Sequence, residues 1–148
     1  MVIEINSLKE LESFAKKTAK ALNGGETLAL SGNLGAGKTT FTKMLLKAAG
    51  VRKNVTSPTF VLMLPYKTKD CTFYHMDLYR IGSYKDVAAL GVEDLWNKKQ
   101  NVFVIEWAEK IKKKLPAKTI YLNFKPVGHT RRITIKNAPK SFEKDITV

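Results

Sequence analysis

The chain begins with a short apolar run followed by an amphipathic segment. Residues 2–5 form the apolar run, and residues 8–22 carry apolar side chains at the three- and four-residue spacing of a helix. Ser7 and Glu10 form a capping box at the start of this segment. These residues therefore predict a strand and then an amphipathic helix.

The same order returns further along the chain. Residues 26–31 are a short apolar run, typical of a buried strand. Residues 40–50 return to helical spacing, and Gly50 stands where a helix commonly ends. Because strands and helices alternate over this half of the chain, the pattern predicts a parallel sheet covered by helices.

The middle of the chain predicts an antiparallel hairpin and two short helices. Residues 60–64 and 71–77 are rich in β-type side chains, and the polar, turn-like residues 65–70 separate them. Residues 83–91 and 92–97 then predict short helical segments. The hairpin would add antiparallel strands to the sheet.

The last third predicts three more strands. Residues 102–106 are four apolar residues and then an acid, typical of a buried parallel strand. Residues 108–115 predict a helix that Pro116 ends. Residues 120–124 and 131–135 predict the last two strands, which would also add an antiparallel edge.

The segment between the second strand and the second helix has the pattern G-x-x-x-x-G-K-T of a phosphate-binding loop. The candidate nucleotide-binding residues are Gly32, Asn33, Leu34, Gly35, Ala36, Gly37, Lys38, Thr39 and Thr40. Glycines allow backbone N–H groups to form a concave anion site, which the positive N-terminus of the following helix reinforces. Lys38 can reach the β- and γ-phosphates, and the Thr39 hydroxyl can coordinate Mg²⁺.

These patterns together predict an α/β fold of the P-loop NTPase type. We expect a mainly parallel sheet flanked by helices, with antiparallel hairpin additions, in one P-loop ATPase domain over residues 1–148. Residues 136–148 carry so little pattern that we expect a loose C-terminal tail.

Two acids at strand ends are candidates for the metal and water chemistry that phosphoryl transfer requires. Glu106 follows an apolar strand as in a Walker B strand; alternatively, it caps the helix that follows. Asp77 ends the strand of residues 71–77; alternatively, it is a turn aspartate paired with Arg80. One acid would hold Mg²⁺ or its waters, and the other would orient a nucleophilic water.

Thr59 is the third catalytic candidate. A loop threonine after the P-loop helix can contact the γ-phosphate and order its loop. Pro58 restrains Ser57 to extended geometry, which suits such a segment; the alternative is a plain turn that enters a strand. A lone strand histidine such as His75 is more often structural than catalytic, and Trp107 is interpreted as a packing residue or partner contact.

Composition excludes several classes of protein. The 148 residues are 44% hydrophobic and 26% charged, which is ordinary for a globular domain. No apolar run approaches the roughly 20 residues that a membrane span needs, and the first residues lack a secretory pattern. One cysteine, Cys71, excludes an internal disulfide and fits a reducing cytosol, so we expect a cytoplasmic protein without membrane contact.

Charge adds one open question. The formal net charge is +13, and residues 108–148 hold 11 Lys or Arg against 3 Asp or Glu, which is +8 of that total. Such a basic region attracts polyanions such as RNA. The alternative is a lysine-rich surface that only contacts solvent.

The chain resembles the TsaE (YjeE) family over nearly its whole length. Five segments carry the resemblance, in order and spacing: N-L-G-A-G-K-T-T at 33–40, S-P-T-F at 57–60, H-M-D-L-Y-R at 75–80, L-G-V-E-D at 90–94, and E-W at 106–107 with L-P at 115–116. These are small bacterial ATPases required for the threonylcarbamoyl modification of adenosine in tRNAs that read codons beginning with A. Asn33 departs from the family, which usually has aspartate there.

The resemblance implies ATP as the nucleotide, with Mg²⁺ held by Thr39 and Glu106 and with Asp77 as a further acid. It also implies weak ATPase activity alone and work in a complex with TsaB and TsaD proteins. TsaD would carry out transfer to tRNA, and ATP hydrolysis by the TsaE-like subunit would support repeated turnover. The basic C-terminal region would contact tRNA or an acidic partner surface.

Two other functions stay open at this point. A small P-loop kinase would transfer phosphate to a metabolite, but such kinases need a mobile lid with arginines, and this chain has only four arginines and no obvious lid insertion. A non-enzymatic basic RNA-binding module would show a steep salt dependence that ATP does not alter. The phosphate-binding loop disfavours the second of these.

Overall fold

The computed structural model describes residues 1–58 and 60–147. Within these residues the strands are β1 (Val2–Ile5), β2 (Thr27–Ser31), β3 (Met63–Lys67), β4 (Thr72–Asp77), β5 (Asn101–Glu106), β6 (Ile120–Val127) and β7 (Thr130–Lys136). The α-helices are α1 (Leu8–Ala21), α2 (Lys38–Ala48), α3 (Tyr84–Ala88), α4 (Val92–Leu95) and α5 (Lys140–Thr147). A 3₁₀ helix spans Ala108–Lys114.

The seven strands of the described residues form one sheet in the order β1-β7-β6-β2-β5-β4-β3. The four central strands, β6, β2, β5 and β4, are mutually parallel. β3 and β7 are antiparallel to their neighbours β4 and β6, and β1 pairs antiparallel with β7. The predicted fold class, a mainly parallel α/β sheet with antiparallel additions, is confirmed.

The sheet is buried on both faces by helices. One face packs on α1, α2 and α5, where Phe41 of α2 contacts Phe14 of α1 and Phe124 of β6, with ring centroids 5.3 and 5.4 Å apart. The other face packs on α3, α4 and the 3₁₀ helix around Phe103 and Ile105 of β5. None of the described helices is long and apolar enough to cross a bilayer.

Two elements differ from the prediction: one strand begins later than predicted, and one predicted helix is a 3₁₀ helix. The strand expected over residues 60–64 begins only at Met63, because Leu62 has a left-handed φ of 64° and its N–H bonds to Pro58 O in a turn. The strand then continues through Pro65, which an edge strand tolerates although proline has no N–H. The helix predicted over residues 108–115 is a 3₁₀ helix, interrupted by non-helical dihedrals at Ile111.

The expectation of a loose tail over residues 136–148 is wrong for most of that segment. β7 continues to Lys136, and residues 140–147 form α5. Phe142 and Ile146, four residues apart on this helix, are buried in the core that α1 shares. These two apolar side chains anchor the segment, and their single repeat was too short to signal a helix in the sequence.

Candidate functional site

The phosphate-loop motif connects β2 to α2 at the carboxyl edge of the parallel strands. Gly32 has a φ of 136°, and a Cβ there would lie 2.4 Å from the Phe124 carbonyl oxygen, so β6 passes too close for any side chain. Gly37 has a φ of 103° and caps the N-terminus of α2. Because this edge is where open α/β sheets bind ligands, the loop is oriented as a nucleotide site requires.

Lys38 is buried at the centre of the loop. Its Nζ donates to the carbonyl oxygens of Gly32 and, at 3.1 Å, of Asn33. Burial lowers the pKa of Lys38 from its ordinary value, and the negative charges of nearby acids, Glu106 first, partly oppose that shift. The ammonium group is therefore held in place by loop carbonyls and attracted by the strand-end acids.

Glu106 closes the site from β5. Residue 106 pairs with Leu30 of the adjacent strand β2, so its carboxylate lies next to the loop that follows β2. Thr39 Oγ1 donates to Glu106 Oε1 at 2.7 Å, and Glu106 is only 1% exposed. A hydroxyl and a carboxylate oxygen thus meet at the base of the loop.

The Thr39 and Glu106 oxygens suit Mg²⁺ better than they suit a metal that needs all of its ligands from the protein. No group of three or more His, Cys, Asp or Glu is arranged to hold a metal within residues 1–58 and 60–147. Mg²⁺ usually takes one or two protein oxygens and completes its shell with water and substrate phosphates. Thr39 and Glu106 supply such a partial shell beside a phosphate loop.

Asp77 lies next to Glu106 but is held differently. The two residues are directly opposite each other in the parallel pairing of β4 and β5. Asp77 Oδ1 accepts from the Tyr79 N–H at 2.9 Å, which is a turn contact, and Oδ2 accepts from Ser57 Oγ at 3.4 Å. The guanidinium of Arg80 lies over the Phe60 ring, 5.1 Å from its centroid, and no ion pair with Asp77 is present in the described part of the chain.

These segments line one cavity of about 370 Å³. Its lining residues are Leu34, Gly35, Ala36, Gly37, Lys38, Thr39, Thr40, Ser57, Asp77, Tyr79, Arg80, Glu106, Trp107 and Arg131. Gly32 and Asn33 contribute carbonyl oxygens to Lys38 rather than cavity wall. Thr59 lies outside the described residues, so its predicted contact with the γ-phosphate stays a prediction.

Larger hollows of about 730 and 610 Å³ lie at the opposite edge of the sheet, around the ends of α1 and α2 and the β3–β4 turn. Neither contains a residue of the phosphate loop or a strand-end acid of β4 or β5. The smaller cavity is therefore the candidate site, because the loop lysine, the Thr39 hydroxyl and the strand-end acids converge there and not in the larger hollows.

Two further residues belong to this cavity. Trp107 adopts a left-handed φ of 57° directly after β5, and its ring lies 4.2 Å from Lys38 Nζ. Arg131, at the start of β7, packs against the loop so closely that a Cβ on Gly37 would lie 3.2 Å from its Nε. The sequence carried no signal for Arg131, because only the pairing order of the sheet brings β7 near β2.

Comparison with known proteins identifies the family. The family model described as "Threonylcarbamoyl adenosine biosynthesis protein TsaE" matches residues 5–134. This chain belongs to the TsaE family.

Curated TsaE relatives match over most of their own length. The protein named "tRNA threonylcarbamoyladenosine biosynthesis protein TsaE" from Rickettsia typhi is 40% identical, over 87% of this chain and 89% of the relative. Proteins of the same name from Bacillus subtilis and Treponema pallidum are 36% and 33% identical, over 84% and 87% of this chain and 77% and 95% of theirs.

A solved structure supports the same fold. The crystal structure of Bacillus subtilis YdiB superimposes with a TM-score of 0.76 and 29% identity, over 98% of this chain and 90% of that one. The likeness extends over nearly the whole chain. The family and the fold are therefore established by independent comparisons.

Proposed function

We propose that this TsaE-family chain is a Mg²⁺-dependent, ATP-binding and ATP-hydrolysing accessory subunit of the bacterial complex that forms threonylcarbamoyladenosine in tRNA. The observation that carries the proposal is the meeting of Thr39 and Glu106, 2.7 Å apart, at the base of a phosphate loop. The names of the curated relatives supply the tRNA pathway.

The loop residues would bind and orient the triphosphate. Backbone N–H groups and the N-terminus of α2 bind phosphate oxygens, and Lys38 adds a charge that its burial keeps away from bulk water. Thr39 and Glu106 would hold Mg²⁺, which, when bound, neutralises charge on the phosphates. Arg131 and Trp107 would limit the access of water to the same cavity.

Asp77 is the residue that we assign to the attacking water. Both oxygens of Glu106 take part in short hydrogen bonds, at 2.7 and 2.5 Å, whereas the bond that Asp77 Oδ2 accepts from Ser57 is long, at 3.4 Å. A carboxylate oxygen with remaining acceptor capacity can orient a water molecule. Thr59 would contact the γ-phosphate from the loop that follows α2.

The partners are proposed from the family resemblance. TsaB-like and TsaD-like proteins of a cytoplasmic modification complex are the partners that we propose, with TsaD carrying out the transfer. The basic C-terminal region would contact tRNA. Its first cluster is Lys110, Lys112, Lys113 and Lys114, all exposed on the 3₁₀ helix that begins directly after Trp107.

A metabolite kinase remains the competing function, because two arginines, Arg80 and Arg131, line the cavity. The deciding experiment measures ATP consumption by the purified chain with Mg²⁺, alone, with both partner proteins, and with tRNA added. We expect slow release of inorganic phosphate from the chain alone and faster release in the complete mixture. Phosphate recovered on an acceptor other than water would favour the kinase, and no ATP binding under any condition would contradict the proposal.

A further inference from the structure

Only one oxygen of the Glu106 carboxylate is used in the function proposed above. That oxygen, Oε1, accepts from Thr39. The other, Oε2, lies 2.5 Å from Nε2 of His75, and the His75 side chain is completely buried. A buried histidine is therefore hydrogen-bonded to the oxygen of the proposed metal ligand that does not contact Thr39.

The sheet register brings these two side chains together. His75 of β4 lies opposite Val104 of β5, and Asp77 lies opposite Glu106. Because side chains two residues apart share a face of a strand, His75, Asp77 and Glu106 all point toward α2. His75 reaches Glu106 along the diagonal of the pairing, which is within range of long side chains.

The hydrogen bond has one possible direction when Glu106 is ionised. A carboxylate only accepts, so Nε2 of His75 donates the proton. Nδ1 of His75 has no hydrogen-bond partner anywhere in the described part of the protein. Within the described residues, the hydrogen bond of this buried ring is the one to Glu106. A histidine that served only to fill the core would not require that hydrogen bond.

Loss of the donor would affect Glu106 in two ways. A buried carboxylate oxygen without a partner is costly, so the side chain would rotate toward solvent or another donor. Either movement would separate Oε1 from Thr39. Outer partners of metal ligands commonly change metal affinity by about 10- to 100-fold for this reason.

We propose that His75 is a positioning residue that fixes the Glu106 carboxylate so that Oε1 and the Thr39 hydroxyl together form the Mg²⁺ site. This inference rests on the function proposed above. It predicts that His75 acts on metal binding more than on the nucleotide contacts of the loop, because the backbone N–H groups and Lys38 make those contacts and His75 does not.

The test measures metal and nucleotide binding separately. Mn²⁺ serves as a spectroscopic probe, and its affinity for the chain saturated with ADP is measured by electron paramagnetic resonance. ADP binding without metal is measured with a chelator present. The variants are His75→Leu, His75→Gln and His75→Asn, with Met76→Leu as a control that changes an equally buried residue on the other face of β4.

We expect His75→Leu to weaken Mn²⁺ binding by about tenfold or more, with metal-free ADP affinity unchanged. His75→Gln should restore most of the metal affinity, because the glutamine amide nitrogen reaches about as far as Nε2, whereas the shorter asparagine should not. If His75→Leu does not fold, the difference in Mn²⁺ affinity between His75→Gln and His75→Asn tests the inference by itself.

Two outcomes would overturn the inference while the proposed function stands. One is wild-type Mn²⁺ affinity in His75→Leu. If that variant does not fold, the corresponding outcome is equal Mn²⁺ affinity in His75→Gln and His75→Asn. The other is an equal loss of Mn²⁺ and metal-free ADP binding, which indicates a structural role. A wild-type chain that binds no nucleotide would instead contradict the proposed function itself.

Discussion

Lys38 lies against the face of the Trp107 ring, with its Nζ 4.2 Å from the ring centroid. A cation over an indole is stabilised by the ring quadrupole, by up to about 2 kcal/mol where water is excluded. Trp107 follows Glu106 directly, so β5 supplies both the acid that attracts the ammonium group and the ring that covers it. The strand end thus organises the loop lysine as well as the proposed metal.

Lys38→Ala should abolish most nucleotide use without loss of the fold. The ammonium group is the loop's only side-chain cation, and removal of one preorganised donor commonly costs about 10²- to 10³-fold in rate. Burial lowers the pKa of Lys38, so desolvation of the ammonium group costs stability, but its bonds to the Gly32 and Asn33 carbonyls and its contact with Trp107 offset that cost. We therefore expect only a small change in the free energy of unfolding. Phosphate release and urea unfolding check both points.

Lys43→Ala is the matched control for this variant, because Lys43 is exposed on the same helix α2. It should hydrolyse ATP like the wild type. Normal hydrolysis by Lys38→Ala would contradict the assignment of the site.

Glu106→Gln should weaken the Mg²⁺ dependence of turnover more than it weakens nucleotide binding. The amide keeps the size of the side chain but removes the negative charge that a hard cation requires. Titration of ATP hydrolysis with Mg²⁺, beside ADP binding in a chelator, separates the two effects. Glu109→Gln, an exposed acid one turn further on, should behave as wild type; equal losses of both functions in Glu106→Gln would point to a structural role.

Ionisation of the Tyr84 phenol should lower the free energy of unfolding at high pH. Burial, together with the hydrogen bond to Glu93 and its negative charge, raises the pKa of Tyr84 to about 12. In the unfolded chain the phenol titrates near pH 10. Between these values the folded state retains a proton that the unfolded state has lost, so the free energy of unfolding decreases as pH rises through this window.

Ultraviolet titration of the phenolates, with urea unfolding at several pH values, measures this effect. Tyr84→Phe should remove the component that titrates near pH 12 and reduce the loss of stability above pH 10. Glu93→Gln should lower the pKa of Tyr84 and leave the phenol present. A folded wild-type chain in which every tyrosine titrates like a free phenol would refute the assignment.

Phe142→Ala should destabilise the domain although it lies near the C-terminus. Phe142 is 4% exposed and belongs to the main core beside α1. Truncation of a buried phenylalanine costs about 3 kcal/mol. Urea unfolding should show this loss, whereas Lys144→Ala, exposed on the same helix, should leave the midpoint unchanged. Equal midpoints would mean that α5 does not contribute to the folded core.

The sequence predicts correctly those elements whose pattern lies within one contiguous segment. The phosphate loop is such a case, because glycine, lysine and threonine positions, together with a flanking strand and helix, are all contiguous. The strand ending at Glu106 is another, because four apolar residues and a terminal acid are typical of one kind of strand. The parallel α/β fold followed from these local signals.

Features that depend on the pairing order of the strands could not be read in advance. The contact of Arg131 with Gly37 requires β7 to pair beside β6 and β6 beside β2. The His75–Glu106 bond depends on a register in which a shift by one residue would turn His75 to the other face. β3 begins later than its apolar pattern predicts, because residues 60–62 form a turn in which Phe60 and Val61 are exposed.

Charge reversal of the 3₁₀-helix lysines should weaken binding of tRNA or of the assembled complex. The four residues Lys110, Lys112, Lys113 and Lys114 are exposed on the 3₁₀ helix that follows Trp107 of the candidate cavity, and their replacement by glutamate changes the net charge by −8. A contact between these lysines and tRNA phosphate groups should appear in the charge-reversed variant as lower affinity at low salt and as a shallower salt dependence.

The control reverses Lys9, Lys16, Lys17 and Lys20 of α1, which gives the same change in net charge on a distant helix. Filter binding with labelled tRNA, with and without the partner proteins, compares the two variants. Equal loss in both would show that only total charge matters, and no loss in either would assign these lysines to plain solvent-exposed surface.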